Sequence, residues 1–468
     1  MDRALTQVGL VLLLGLLLVG ALTGYRQVVE AERLLSDPRV AAARWLHQQT
    51  RQPRGQILDR HGEPLVVSVR QPDGTYRRVY RDPALVHVTG YASPIHGTSN
   101  LEAAYDRVLR TAPATGLADL ADLLLDRPRP GADVVTTIDG RLQRAAEEAM
   151  AGRTGAVVVL APATGEILAL VSNPFVDPNR LDDLWPQRQQ DPAAPLLNRA
   201  TAGLYPPGSV FKTVTLAAAL ETGRVAPTDR WEDPDGRLLV DGYLVRDDNH
   251  PGIASFDTLH AYAYSCNVTF ARIGLQLGSQ PLTEYAQRLG FGQTWDLPLP
   301  VAASRLAGSD RFLLTRVGLA TTAFGQGEIV VTPLHMALLA ATVANEGQLV
   351  PPRLVRAVRT PGGEQPAPAS SPRRVLRPET ARWLAQAMEI SVQEAWGRPA
   401  QIPGVRVAGK TGTAEVGAGP PHAWFIAFAP VERPVVAVAV LVEHGGGGSA
   451  VAAPIARRIL QVALAERP

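Results

Sequence analysis

The chain has 468 residues, a formal net charge of +2 and 46% hydrophobic residues, enough to bury the cores of two bodies. That balance gives no general electrostatic case for nucleic acid, and no basic run is longer than Arg-Arg. Cys266 is the single cysteine, which excludes an intrachain disulfide and a Cys-based metal site; the nine histidines show no zinc-site spacing, so no metal or cofactor is expected.

Residues 4–25 carry no charge, and Val8 to Leu22 is almost wholly Leu, Val and Gly. About 22 residues reach roughly 33 Å as a helix, enough to cross a hydrocarbon core. The apolar run exceeds the usual signal-peptide core, so residues 1–25 read as a retained membrane anchor. Flanking charge, Asp2 and Arg3 against Arg26, does not orient it. A helical pattern continues to about Trp45. Arg54 to Gly62 then reads as strand and turn, Leu65 to Val69 as a strand, and Gly97 to Glu102 as the start of a helix running to about Leu109. A short helix is expected over residues 117–125, before the breaker Arg127-Pro128-Arg129-Pro130-Gly131. No cluster of catalytic residue types falls in this part, which suggests a structural role for residues 26–150, a mixed α/β pedestal.

Val134 to Asp139 is expected as a strand and Arg141 to Ala151 as a helix. Ala156 to Leu160 and Glu166 to Val171 form a hairpin across Ala161-Pro162-Ala163-Thr164-Gly165. Residues 405–407, 424–429 and 435–442 are three more strands, and Ala450 to Ala465 is a closing helix. Strands at both ends with helices between imply an α+β architecture over residues 151–468: one antiparallel sheet, flanking helices and a helical insertion.

Within that insertion, Tyr205-Pro206-Pro207-Gly208 is a helix-excluding loop. The run from Ser209 to Thr222 follows as a helix ending at Gly223. Ser209 thus stands at a helix start, where free N–H groups favour developing negative charge, and Lys212 shares its face one turn on. A hydroxyl beside an amine is a candidate nucleophile and base. Of 46 basic residues only Lys212 and Lys410 are lysines. Arginine stays protonated, whereas a buried lysine can lose its proton, so lysine chemistry matters where lysine remains.

Three motifs occur in order: Ser209-x-x-Lys212, Ser265-Cys266-Asn267 and Lys410-Thr411-Gly412. With them stand Arg54-Gly55 to Gly62, Leu101-Glu102-x-x-Tyr105-Asp106, Gly325-Gln326-Gly327 before Thr332-Pro333-Leu334, Lys410 to Glu415, and Gly448-Ser449-Ala450. Together these resemble a class B penicillin-binding protein, a membrane-anchored peptidoglycan D,D-transpeptidase, over most of the chain. The resemblance implies that Ser209 attacks a D-Ala-D-Ala carbonyl and forms an acyl-enzyme. Lys212 would take the serine proton while neutral, its pKa lowered by Lys410 and burial. Ser265 would relay a proton to the leaving amine, and Asn267 would hold the substrate backbone and Lys212. Lys410 would keep its charge, and Thr411 and Thr413 would bind the substrate carboxylate. Main-chain N–H groups of Ser209 and Thr413 would form the oxyanion hole. Gly412 would let an extended peptide lie along the strand edge.

The resemblance also implies peptidoglycan stem peptides and β-lactams as ligands. A catalytic body outside the cytoplasmic membrane is implied too, as is a multi-spanning glycan polymerase of the shape, elongation, division and sporulation kind as partner. A D,D-carboxypeptidase shares the acyl-enzyme but uses water as acceptor, and a β-lactam sensor or scaffold needs no turnover. Cross-linking with a second stem peptide separates these. Cys266 reads as a small buried residue, and Gly445 to Gly448 as a flexible turn.

Overall fold

The computed structural model describes residues 2–28, 53–93, 95–110, 131–233, 235–247, 251–417 and 419–465. The expected helical stretches to Trp45 and over 117–125 lie outside these. Helix α1 (Asp2–Val28) contains a 19-residue window, Gln7–Tyr25, of mean hydropathy 2.3, long and apolar enough to cross a membrane.

Two sheets organise the rest. Strands β1 (Ile57–Leu58), β2 (Pro64–Arg70), β3 (Tyr76–Tyr80) and β4 (Asp133–Thr136) open the first, with β1 parallel to β4 and antiparallel to β2. Helix α2 (Gly140–Met150) follows, its first turn capped by the Asp139 carboxylate. Strands β5 (Gly155–Leu160) and β6 (Ile167–Asn173) form the expected hairpin. Helices α3 (Lys212–Glu221), α4 (Asn267–Leu277), α5 (Pro333–Ala344) and α6 (Pro378–Glu394) belong to the helical region, with several other helices between them. Between α5 and α6 the chain returns to the first sheet as β7 (Val355–Thr360) and β8 (Gly363–Pro366), an excursion the sequence pattern does not signal. Strands β9 (Ala408–Ala414), β10 (His422–Ala429) and β11 (Val436–Val442) then complete the second sheet, ahead of α7 (Ala452–Leu464).

The second sheet is antiparallel throughout, in the order β9-β10-β11-β5-β6. Alternate residues serve two cores. Trp424, Ile426 and Phe428 face the helical region with α5, while Phe425, Ala427 and Ala429 face α7 and α2. Burial on both faces explains why these strands read as continuous apolar runs. Leu142, Ala146 and Met150 of α2 lie in the same core as α7, so this helix packs with the larger body, although the expected boundary after residue 150 assigns it to the pedestal.

The helix expected from Gly97 to Leu109 is two short ones, Asn100–Ala104 and Asp106–Arg110, with a break at Tyr105. There Arg54 Nη2 lies 2.6 Å from Glu102 and Nη1 lies 2.8 Å from Asp106, while Arg78 Nε meets Glu102 at 2.6 Å. The two N-terminal signature segments are therefore clasped to each other through buried ions. Burial alone would raise the Glu102 carboxyl, but Arg78 and Arg54 outweigh it and hold its pKa below the ordinary value. Glu102→Ala leaves two buried guanidiniums short of their counter-ion. It is expected to cost about 3–5 kcal/mol, read as a lowered thermal midpoint; an unchanged midpoint would show the clasp to be dispensable.

The strand expected over residues 405–407 is displaced. Pro403-Gly404 turns the chain so that Val405 makes only an isolated bridge to Ile402, and β9 begins at Ala408. Gly409 and Gly412 weaken the strand signal yet are required inside it. A Cβ at Gly409 would lie 2.5 Å from the Phe425 ring, and one at Gly412 would lie 3.0 Å from the Pro207 carbonyl.

Candidate active site

Residues Gly208–Phe211 form one 3-10 turn that feeds α3, placing Ser209 half-buried ahead of the helix proper and Lys212 at its first position. Gly208 has φ +55°, and a Cβ there would stand 2.6 Å from the Thr413 carbonyl, so the serine turn presses directly on β9. Across the cleft, Ser265 is held at φ +64°, a left-handed conformation uncommon for a non-glycine residue. Asn267 opens α4.

Lys212 is fully buried and joins these pieces. Its Nζ lies 3.1 Å from Ser209 Oγ, 2.6 Å from the Ser265 carbonyl, 3.1 Å from Ser265 Oγ and 2.8 Å from Asn267 Oδ1. An ammonium has three protons for these four oxygens. A neutral amine can keep its two shortest contacts, to the Ser265 carbonyl and Asn267, and turn its lone pair to the Ser209 hydroxyl. Burial brings Lys212 down to about 8, with Asp247 and Cys266 acting the other way. A base poised near neutral pH suits proton abstraction. Ser265 Oγ, equally close to Nζ, lies on a path for returning that proton.

Lys410 has a different setting. It is fully buried, donates to the Thr411 carbonyl at 3.0 Å and sits 5.6 Å from the Tyr262 ring centroid. Burial, then the neighbouring Lys212 charge, hold its pKa well below the ordinary lysine value. Among the described residues, Lys212 has four oxygens to stabilise a charge and Lys410 has one carbonyl and a ring face, so the electrostatic pressure between the two amines bears on Lys410. Lysine rather than arginine suits both slots, since arginine could not shed its proton in either.

Ser209, Ser265, Asn267, Thr411 and Thr413 line one cavity of about 210 Å³. Thr413 is exposed at its mouth and Thr411 is buried deeper. Strand β9 is the edge of its sheet, with an outer side open to a further strand. Gly412 also meets a packing need: its missing side chain makes room for the Pro207–Val210 loop and for Trp424. Nor is the glycine run after Glu443 merely a loose turn, because a Cβ at Gly448 would lie 2.3 Å from the Gly412 and Trp424 carbonyls. Sequence reasoning passed over Trp396, whose indole donates to the Tyr264 carbonyl at 2.9 Å and borders the cavity, and Asp247. Neither belongs to a motif. Cys266 is 2% exposed, and burial followed by Asp247 pushes its thiol up to about 12, so it is no rival nucleophile.

A hydroxyl held by a buried amine, beside a Ser-x-Asn turn and an open strand edge, defines a serine acyl-transfer site on an α+β scaffold. The family model described as penicillin binding protein transpeptidase domain matches residues 155–461, and that of the penicillin binding protein A dimerisation domain matches residues 54–134. The chain belongs to the penicillin-binding protein transpeptidase family, in its class B. It is 36% identical over 500 aligned residues, covering 100% of both chains, to peptidoglycan D,D-transpeptidase PbpA of Mycolicibacterium smegmatis. Among solved structures, penicillin-binding protein A from M. tuberculosis as its ceftriaxone acyl-enzyme matches with TM-score 0.83 and 36% identity, over 90% of this chain and 100% of that one. The penicillin G acyl-enzyme of the same protein gives TM-score 0.80 and 36% identity, over 88% and 100%.

Proposed function

We propose that Ser209 is the acylated nucleophile of this peptidoglycan D,D-transpeptidase and that Lys212 is its base. The observation that carries this reading is Lys212 Nζ at 3.1 Å from both Ser209 Oγ and Ser265 Oγ. The amine accepts the Ser209 proton as Oγ bonds to the penultimate D-Ala carbonyl carbon. The tetrahedral oxyanion is met by main-chain N–H groups of Ser209 and Thr413; losing one such donor typically costs about 2.7–4 kcal/mol. Collapse expels the terminal D-Ala, whose amine takes the proton through Ser265. An amine of a second stem peptide then attacks the ester by the reverse path. Asn267, Lys410, Thr411, Gly412 and Thr413 hold the donor peptide, and a β-lactam enters as its analogue and stays as the ester.

The N-terminal segment ahead of helix α2 serves as a non-catalytic pedestal for the transpeptidase body. Helix α1 anchors the chain in the cytoplasmic membrane with that body outside, where peptidoglycan lies. Cross-linking alone makes no glycan strands, so a multi-spanning glycan polymerase is the expected partner. Mass spectrometry of a penicillin adduct should place the added mass on Ser209; a modified peptide without Ser209 would overturn the assignment. Turnover of a disaccharide-pentapeptide polymer should give cross-linked dimers, whereas release of D-Ala without dimers would mark a carboxypeptidase.

A further inference from the structure

The Ser265-Cys266-Asn267 turn is held from outside its own helix. Cys266, at the N-cap of α4, makes no side-chain cap bond. The cap comes from Asp247, which follows the strand Tyr243–Arg246. Its carboxylate accepts the main-chain N–H of Asn267 and, at 3.3 Å, that of Val268. One residue earlier, the Arg246 carbonyl accepts from Asn267 Nδ2 at 2.9 Å. The strand end therefore grips both the backbone and the side-chain amide of Asn267. With Nδ2 committed to Arg246, Oδ1 has to face Lys212 Nζ, which it meets at 2.8 Å.

Asp247 also sits in a place where charge is costly. Its carboxylate, that of buried Asp233 and the Cys266 sulfur lie within 4.8 Å of one another, and Asp247 borders the cavity that holds Ser209. Burial first, then a hydrogen bond with Asp233, push Asp247 up to about 7, with Lys212 pulling the other way. The groups that face it are Asp233 beyond the strand Arg230–Glu232, Cys266 before α4 and Lys212 on α3. Cys266 is neutral, so Asp247 is the carboxylate acting on Lys212.

We propose that Asp247 is a positioning residue for acyl transfer: it caps α4 from a neighbouring strand end, fixes the Asn267 amide that holds Lys212, and, when ionised, sets a negative charge near this buried amine. The proposal rests on the reading that Ser209 is the acylated residue. Two consequences follow, and they separate. The cap is a hydrogen-bonding role that a neutral amide oxygen can fill. The charge is a role it cannot, and removing it lets Lys212 lose its proton at lower pH.

The test is acylation of the full-length protein by a fluorescent penicillin, followed between about pH 5.5 and 9, with the adduct mapped in each variant. Asp247→Asn is expected to move the rising limb of the rate to lower pH by about half a unit or more, with a high-pH rate within about threefold of the parent. Asp247→Ala is expected to lose about 10–100-fold at every pH, because a shift of about 1 Å in a positioned group costs up to about 100-fold. If both variants acylate with the parent's rate and pH profile, or lose only thermal stability, the inference falls. If the parent itself carries its adduct elsewhere than Ser209, the fault lies with the site assignment instead.

Discussion

Replacing Ser209 by alanine is expected to abolish the penicillin adduct while the protein stays folded. The lost hydroxyl makes one side-chain hydrogen bond, to Lys212, from a half-buried position, so stability should fall by about 1 kcal/mol and the thermal midpoint should barely move. The chemical loss is of another order. Removing a nucleophile that acts as a unit with its base typically costs around 10⁶ in turnover and leaves no oxygen to carry the acyl group. Among the described residues, Ser265 is the one other hydroxyl within hydrogen-bonding distance of the Lys212 amine, at 3.1 Å. It is tied into a left-handed turn whose N–H bonds to the Tyr262 carbonyl at 3.0 Å, outside the 3-10 turn that carries Ser209. Ser265→Ala should accordingly slow acylation without removing it. Labelling of Ser209→Ala at parent stoichiometry would transfer the nucleophile to Ser265 and invert both assignments.

The three motifs were legible in the sequence because acyl transfer needs particular atoms at fixed spacings, and because two lysines stand out against a background of arginine. The paired strands β5–β6 and β10–β11 were legible because both faces of their sheet are buried, which leaves unbroken apolar runs. Strand β9 was harder to place. Its glycines answer to the Phe425 ring and the Pro207 carbonyl, neighbours supplied by tertiary packing and invisible to local pattern. The same holds for β7, whose register with β4 is set by residues more than two hundred positions away, and so for β8, which joins the sheet through β7. Asp247 went unnoticed for a related reason: a capping residue normally precedes its helix, whereas this one reaches α4 from a separate strand. The downward pressure on the Lys410 pKa could not be read from its motif, because it follows from burial and from the acceptors around the amine, and only coordinates count them.

Lys212→Arg is expected to be nearly as damaging as Lys212→Ala, with acylation falling by about 10²–10⁴-fold in both, the range general-base removal usually costs. The argument runs through the proton. Burial brings Lys212 down to about 8, so roughly a tenth of the protein carries a neutral amine at pH 7. The parent rate should climb about tenfold per unit as pH rises towards 8 and then level off, since the deprotonated form is the active one. Arginine retains the cation over that whole range and has no lone pair to offer Ser209, so its profile should be low and flat. Its larger, planar head must also fit a site where Lys212 is fully buried and already meets four oxygens, so lost rate by itself does not isolate the base. Rescue supplies the separation: a small amine such as methylamine, added to Lys212→Ala, should restore part of the acylation rate and do so only as pH approaches its own deprotonation. A Lys212→Arg protein that acylates near the parent rate, or a rescue that follows the total amine rather than its neutral fraction, would move the base away from Lys212 and leave it the role of a fixed charge beside Ser209.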